Sequence, residues 1–375
     1  MSLAVSIVVP VFNAAPYLAE CLGSLRRQSL RELEFLLVDD GSTDGSRRLL
    51  EEFAATDPRA QVIVKANSGL GHTLNVGLDR ALGEYVGIVE PDDYVAGSMF
   101  EVLHAEAERH RADIAKADFV RFHDTGGRRR FRYCRIAKER VDLYGRVLDP
   151  VACPALFRSE VNTWCGIYRR DFLEREGIRH NETPGASYQD TGFFFQTLCR
   201  ARRVYLIPRA VYRYRVDNPA SSVKRFDNAT AIREEMRFLE EFIGSDRTRF
   251  AVFEPALWYR KFVAYLYSYE RASETQSLPL LKEFSAEFRA ARDQEFLDRT
   301  LFSPTEWACL QDVMRSPERF HADYFAKAGH SPLQVARRKF RRMASWVTDY
   351  GAGRCARYLG RCAWSGALPK RILRD

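Results

Sequence analysis

The sequence predicts an α/β fold, a mostly parallel sheet with helices on both faces, followed by a helical C-terminal region. Three observations carry this. Short β-branched runs alternate with helical periodicity over the first hundred residues. Three of the expected strand ends carry polar or acidic clusters, at residues 10–13, 39–40 and 90–93. From about Phe226 onward the pattern is helical and no strand is evident.

Residues 5–9 are an apolar, β-branched run, read as a buried strand. Residues 14–28 place Tyr17, Leu18, Cys21, Leu22 and Leu25 at helical spacing. A second strand over 34–38 ends at Asp39-Asp40-Gly41. Thr43 or Asp44 is suited to cap the next helix, which runs through Leu49, Leu50 and Phe53. Residues 62–64 read as a third strand, 70–82 as a helix and 85–89 as a fourth strand. Ligands of such a sheet bind beyond the carboxyl ends of its strands. Beyond it, 99–110 reads as a helix and 114–122 as a strand. Residues 124–132, rich in Gly and Arg, read as an exposed, mobile excursion. Residues 164–168 are strand-like, and 187–198 form an aromatic helix. Residues 204–207 and 211–216 are two short strands, and 217–222 is a loop by composition. The expected domains are a catalytic one at 1–225, a helical one at 226–330 and a basic tail at 331–375.

The composition, 46% hydrophobic and 29% charged over 375 residues, is that of a globular chain whose core needs no covalent staples. Eight cysteines lie scattered without a C-x-x-C pair, which points to reduced thiols rather than a zinc site or disulfide framework. No run approaches the roughly 18 apolar residues of a membrane-spanning helix. The apolar start runs into Pro10 and Asn13, as a buried strand does and a signal peptide does not. The expected location is the cytoplasm. The net charge of +8 is uneven. Residues 331–375 carry eleven Lys and Arg against Asp349 and Asp375, and the rest of the chain is close to neutral. There Leu333, Ala336, Phe340, Met343, Val347 and Tyr350 share one helical face, with arginines crowding the remainder. Such a helix either lies on an anionic membrane surface, which would make the protein peripheral on the cytoplasmic face of the inner membrane, or docks on the catalytic domain. No nucleic-acid-binding motif accompanies the charge.

Asp92 and Asp93 directly follow a strand behind Pro91. Adjacent carboxylates repel unless a cation lies near, and a divalent cation shared with phosphate oxygens is a natural partner. Taken alone, the pair is also suited to capping the helix at Met99. Asp39-Asp40 raises the same two readings at another strand end. Phe12 either stacks on a ligand or packs in the core, the commoner role. Neither G-x-G-x-x-G nor a P-loop is present, which argues against dinucleotide redox chemistry and a P-loop phosphate site.

Together these residues resemble the family 2 glycosyltransferases of GT-A fold. The matching runs are residues 5–13, 37–45, 67–71 with Asn75-Val76-Gly77, and Glu90-Pro91-Asp92-Asp93. The resemblance spans roughly residues 4–220. Residues 182–193 are similar to the acceptor-side segment of members that build bacterial surface polysaccharides. The resemblance implies an inverting, non-processive transfer from a nucleotide-sugar, a UDP-sugar by expectation, to a hydroxyl of a glycan or lipid-linked acceptor, with Mn²⁺ or Mg²⁺ as cofactor. It places Pro10, Phe12, Asn13 and Asn67 in the donor site, with Pro10 and Phe12 bordering the nucleobase and Asp40 bonding it. Asp92 would lie near the ribose or metal, and Asp93 would ligate the metal. Asp190 would be the catalytic base, and Lys224 would reach the phosphates. From the residues alone, a helix N-cap is the commoner role for Asp190. Glu90 stands where members often have Asp, which puts its direct metal ligation in doubt. The processive synthases' Gln-x-x-Arg-Trp motif is absent after Asp190. A nucleotidyltransferase and a non-enzymatic membrane-surface module remain the competing classes.

Overall fold

The computed structural model describes residues 3–125, 127–138, 140–221 and 229–326. They divide into two compact units, 3–221 and 229–326. The first unit contains β1 (Val5–Val11), α1 (Ala15–Arg26), β2 (Leu33–Asp39), α2 (Ser46–Ala54), β3 (Ala60–Val64), α3 (Leu70–Arg80), β4 (Tyr85–Ile88) and β5 (Tyr94–Val95). It continues with α4 (Met99–His110), β6 (Ile114–Thr125), β7 (Arg128–Cys134), β8 (Val147–Leu148), β9 (Gly166–Arg169), α5 (Arg170–Arg175), α6 (Gln189–Arg200) and β10 (Val204–Arg215).

These strands form one sheet in the order β3-β2-β1-β4-β9-β6-β10-β5, with β7 beside β6 and β8 beside β10. Strands β3, β2, β1 and β4 are mutually parallel. β9 runs antiparallel between β4 and β6, which restores the common direction for β6 and β10. The carboxyl ends of β1, β2, β4, β6 and β10 therefore share one edge, which the start of β9 joins. Every residue of β1 is buried. That is why its sequence is a continuous apolar run rather than an alternation. The chain steps from β1 outward through β2 to β3, then returns to the other side of β1 as β4. With right-handed crossovers, this reversal puts α3 on the opposite face from α1 and α2 and opens a crevice between the ends of β1 and β4.

Several expectations are corrected here. The stretch expected to be an exposed, mobile excursion at 124–132 is partly exposed but belongs to a β6–β7 hairpin, in which Asp124 and Thr125 pair with Arg129 and Arg128. Arg129 fastens it, reaching Glu20 on α1 at 2.6 and 3.1 Å and Asp124 at 3.0 Å. Its guanidinium also lies over the rings of Tyr94 and Phe122. Local composition reads as loop because the hairpin's partners are distant in sequence. The two short strands expected at 204–207 and 211–216 are one strand, β10, whose pairing to β6 shifts register between Ile207 and Tyr212. Neither Thr43 nor Asp44 is the N-cap of α2. Gly45 takes that place in a left-handed conformation, and Asp44 accepts from the Ser46 N–H at 3.0 Å beside it. The two-residue strands β5 and β8 are too short for periodicity to reveal.

The second unit is helical: α7 (Ala229–Ser245), α8 (Arg247–Phe250), α9 (Glu254–Tyr269), α10 (Glu274–Asp293), α11 (Pro304–Arg315) and α12 (Pro317–Ala326). Its core is aromatic, with Phe262 edge-on to Phe284 and Phe302, and Trp258 edge-on to Phe288. Ser303 and Glu306 close a capping box that starts α11. Among the described residues no helix is long and apolar enough to cross a membrane.

Candidate functional site

The three clusters singled out in the sequence meet at the shared sheet edge. After β1, Phe12 is 50% exposed, so the core-packing role is set aside. Pro10 is buried within the strand. Asn13, in a left-handed conformation, accepts from the Thr43 N–H at 2.8 Å and donates its own N–H to Ser42 Oγ at 3.1 Å. These bonds lash the loop after β1 to the loop after β2.

Asp40 is 4% exposed and holds the loop before α3. It pairs with Lys65 and accepts from the Ser68 N–H at 2.9 Å and the Gly69 N–H at 3.1 Å. A carboxylate has about four acceptor positions, so capacity for one further donor remains. Asn67 is exposed on that loop, its backbone against Gly41.

The loop after β4 is tied down from three sides. Tyr212 on β10 donates its hydroxyl to Asp93 at 2.8 Å and accepts the Glu90 N–H at 3.0 Å. Arg215 donates its backbone N–H to Asp93 at 2.7 Å and its Nε–H to the Asp92 carbonyl at 2.9 Å. Asn218 donates to the Asp92 carboxylate at 2.7 Å. Asp93, the residue expected to ligate the metal, is the least available of the acids. It is 1% exposed, and each carboxylate oxygen is already bonded within the fold. Asp92 and Glu90 are only partly buried.

The electrostatics of this loop follow first from burial and then from three carboxyl groups set beside the guanidinium of Arg215. Burial, then the charges of Asp92 and Asp190, push the Glu90 carboxyl up to about 8. Burial likewise raises Asp92, against the opposing bond from Asn218. Asp93 lies well above the usual carboxylate range through burial and then Asp92. A hard divalent cation fits this set. It prefers carboxylate oxygens, and its charge would offset the burial and the mutual repulsion that raise these groups.

Asp190 lies in the first turn of α6 and is partly buried. It is not the N-cap. Tyr188 occupies that position, in a left-handed conformation and without a side-chain cap bond. Asp190 is near enough to raise the Glu90 carboxyl and to act on Lys116 and Tyr168. The segment preceding it is strapped to α3. Asn75 donates to His180 O at 2.9 Å and to Glu182 Oε1 at 2.8 Å, and accepts the His180 N–H at 2.9 Å. The Leu70 N–H donates to Gly185 O at 2.8 Å. A Cβ on Gly71 would lie 2.0 Å from the Asn181 carbonyl oxygen, so only glycine lets the strap approach. Lys224 and the basic tail lie outside the described residues.

A family profile described as Glycosyl transferase family 2 matches residues 6–165. The chain is 35% identical over 230 residues to a glycosyltransferase of Haemophilus influenzae, covering 60% of this chain and 84% of that protein. The chain belongs to glycosyl transferase family 2. The family 2 chain is also 34% identical over 217 residues to the glycosyltransferase EpsJ of Bacillus subtilis, covering 58% of this chain and 62% of EpsJ. It thus spans less than two thirds of that relative's length. Among solved structures, S. aureus TarS 1–349 in complex with UDP-GlcNAc superposes with a TM-score of 0.52 at 19% identity, covering 84% of this chain and 92% of that one. A likeness at that identity speaks for the shared GT-A fold.

Within this family 2 framework, sequence reasoning missed Tyr212, Arg215, Asn218 and Glu20, which build the acidic loop's surroundings. Arg215 also bonds Glu20 Oε2 at 2.7 Å, the carboxylate that holds Arg129. The signal was present only as two arginines in β10, Arg213 and Arg215, at 3% and 7% exposure in a strand that otherwise reads as ordinary core.

Proposed function

We propose that this chain is an inverting, non-processive glycosyltransferase that moves a sugar from a UDP-sugar to a hydroxyl of a glycan or lipid-linked acceptor in bacterial surface polysaccharide synthesis. The observation that carries the reading is the acidic loop after β4, which Tyr212, Arg215 and Asn218 hold at the carboxyl edge of the sheet; Asp190, in the first turn of α6, adds its charge to the burial and the Asp92 charge that raise Glu90. Donor and acceptor sites would be adjacent there. Residues 1–225 would form the catalytic domain, 226–330 a helical domain and 331–375 a membrane-facing tail.

In this reading the donor base lies between Phe12 and Asp40, bordered by Pro10, Asn13 and Asn67. Asp92, aided by Glu90, takes the metal role that the sequence favoured for Asp93, and Asp93 positions the loop from beneath. Bound Mn²⁺ or Mg²⁺ would supply positive charge for the leaving diphosphate. Asp190 takes the proton of the acceptor hydroxyl as that oxygen attacks the anomeric carbon. General-base help of this kind is worth about 10²–10⁴-fold. The first-turn position of Asp190 favours its ionised form through the helix dipole. Lys224 would contact the phosphates.

The test is Asp190→Asn. Turnover with the cognate donor and acceptor should fall at least about 100-fold while UDP binding stays at the wild-type level. Retained transfer in that variant would overturn the base assignment. Co-sedimentation with anionic vesicles, with and without residues 331–375, tests the tail.

A further inference from the structure

Beyond the acidic loop, the sheet edge carries three stacked rings that the mechanism above does not use. Trp164, just before β9, stacks on Tyr212 at 4.3 Å and on Tyr214 at 5.2 Å with only 7° between the planes. Phe119 meets the indole edge-to-face at 5.0 Å. Tyr212 is buried and bonded to the loop, but Trp164 and Tyr214 are only partly buried. Neither the indole N–H nor the Tyr214 hydroxyl has a protein partner among the described residues, and neither is sealed from solvent. Tyr214 feels the charges of Asp93, Asp92 and Glu90, which places it beside the acidic loop.

The strand order says which side of the loop this is. Along the edge the sequence runs β2, β1, β4, β9. Neighbouring strands are about 4.8 Å apart, so the start of β9 is about 14 Å from the end of β2. A nucleotide anchored at Asp40 with its diphosphate at β4 leaves β9 and β10 on the far side, beyond the leaving group. That is where an acceptor must stand for attack opposite the diphosphate.

We propose that Trp164 and Tyr214 form a stacking platform for a pyranose ring of the acceptor. This rests on the donor-site reading above and adds the acceptor's chemical class. A pyranose presents an apolar face of C–H bonds, which the electron-rich face of an aromatic ring attracts, and a rim of hydroxyls. The two unpaired donors at the ring edges suit that rim. A hydrocarbon chain would leave them buried and unsatisfied.

The experiment uses the full chain with UDP and Mn²⁺. Saturation-transfer NMR is run with methyl β-D-glucopyranoside and methyl N-acetyl-β-D-glucosaminide, with glycerol 1-phosphate as an open-chain control, on wild type, Trp164→Ala and Trp164→Phe. UDP affinity is measured by calorimetry on each. The platform predicts ring-proton saturation of at least one pyranoside, about tenfold weaker binding in Trp164→Ala, recovery in Trp164→Phe, and unchanged UDP affinity in all three. Pyranoside binding that survives Trp164→Ala overturns the proposal. So does binding of glycerol 1-phosphate alone. Equal weakening of UDP and pyranoside would assign the rings to the donor, which also overturns it. Absence of any pyranoside signal with UDP still binding overturns the platform and leaves the donor reading standing. Failure of UDP itself to bind sinks both.

Discussion

Replacing Glu90 with Gln should make the metal-free protein more stable, and increasingly so as pH rises. The folded state keeps the Glu90 proton up to about pH 8, whereas the ordinary value is 4.5. Between those limits the unfolded chain releases a proton that the folded chain retains, so stability falls with rising pH. The contribution is intact below pH 4.5 and fully lost above about 8. At about 1.4 kcal/mol per pH unit, the interval sets a ceiling of about 5 kcal/mol. Glu90 is partly open to water, and screening should reduce this to about 2 kcal/mol. Glutamine keeps the shape and removes the charge. Urea unfolding of wild type and Glu90→Gln in EDTA should therefore coincide near pH 4.5 and separate by about 2 kcal/mol at pH 8, the variant being the more stable. Saturating Mn²⁺ should shrink or reverse the gap, because the cation stabilises the ionised wild-type loop. A gap that does not change with pH would refute the account of Glu90 as a carboxyl raised by burial and by its acidic neighbours.

Further outcomes separate the roles of neighbouring groups. Asp92→Asn should abolish the tightening of UDP binding by Mn²⁺ in calorimetry. Asp93→Asn should retain that tightening and instead lose about 1–2 kcal/mol of stability through its mismatch with two donors; the opposite pattern would restore Asp93 as the ligand. Asn75→Ala strands the His180 N–H and carbonyl in a buried site, and should cost about 2–3 kcal/mol in urea unfolding. A loss under about 0.5 kcal/mol would mean that the strap is not held there. Gly71→Ala should displace the strap carrying the approach to Asp190, lowering turnover far more than UDP affinity. Equal loss of both would show damage spread through the donor site.

The sequence alone determined the alternation of β1 to β4 with α1 to α3, because buried parallel strands and amphipathic helices write their periods locally. It also raised the acidic loop and Asp40 as candidates, since acids at strand ends stand out without any fold, but there a cap reads as well as a site, and Asp190 was singled out only through the family resemblance. Tertiary structure decided what those acids do. Asp92 and Asp93 are neighbours of one chemistry, and only the approach of Tyr212 and Arg215 from a strand more than a hundred residues away turns one inward and leaves the other partly open. The hairpin at β6 and β7 was illegible for the same reason: Arg129 reads as solvated until Glu20, Tyr94 and Phe122 are brought beside it. The Trp164 stack likewise joins β9 to β10, strands that touch no common neighbour but β6. Local sequence encodes period and charge. Which carboxylate stays open to a cation and which rings stay open to a ligand depends on desolvation, and only the packed fold sets that.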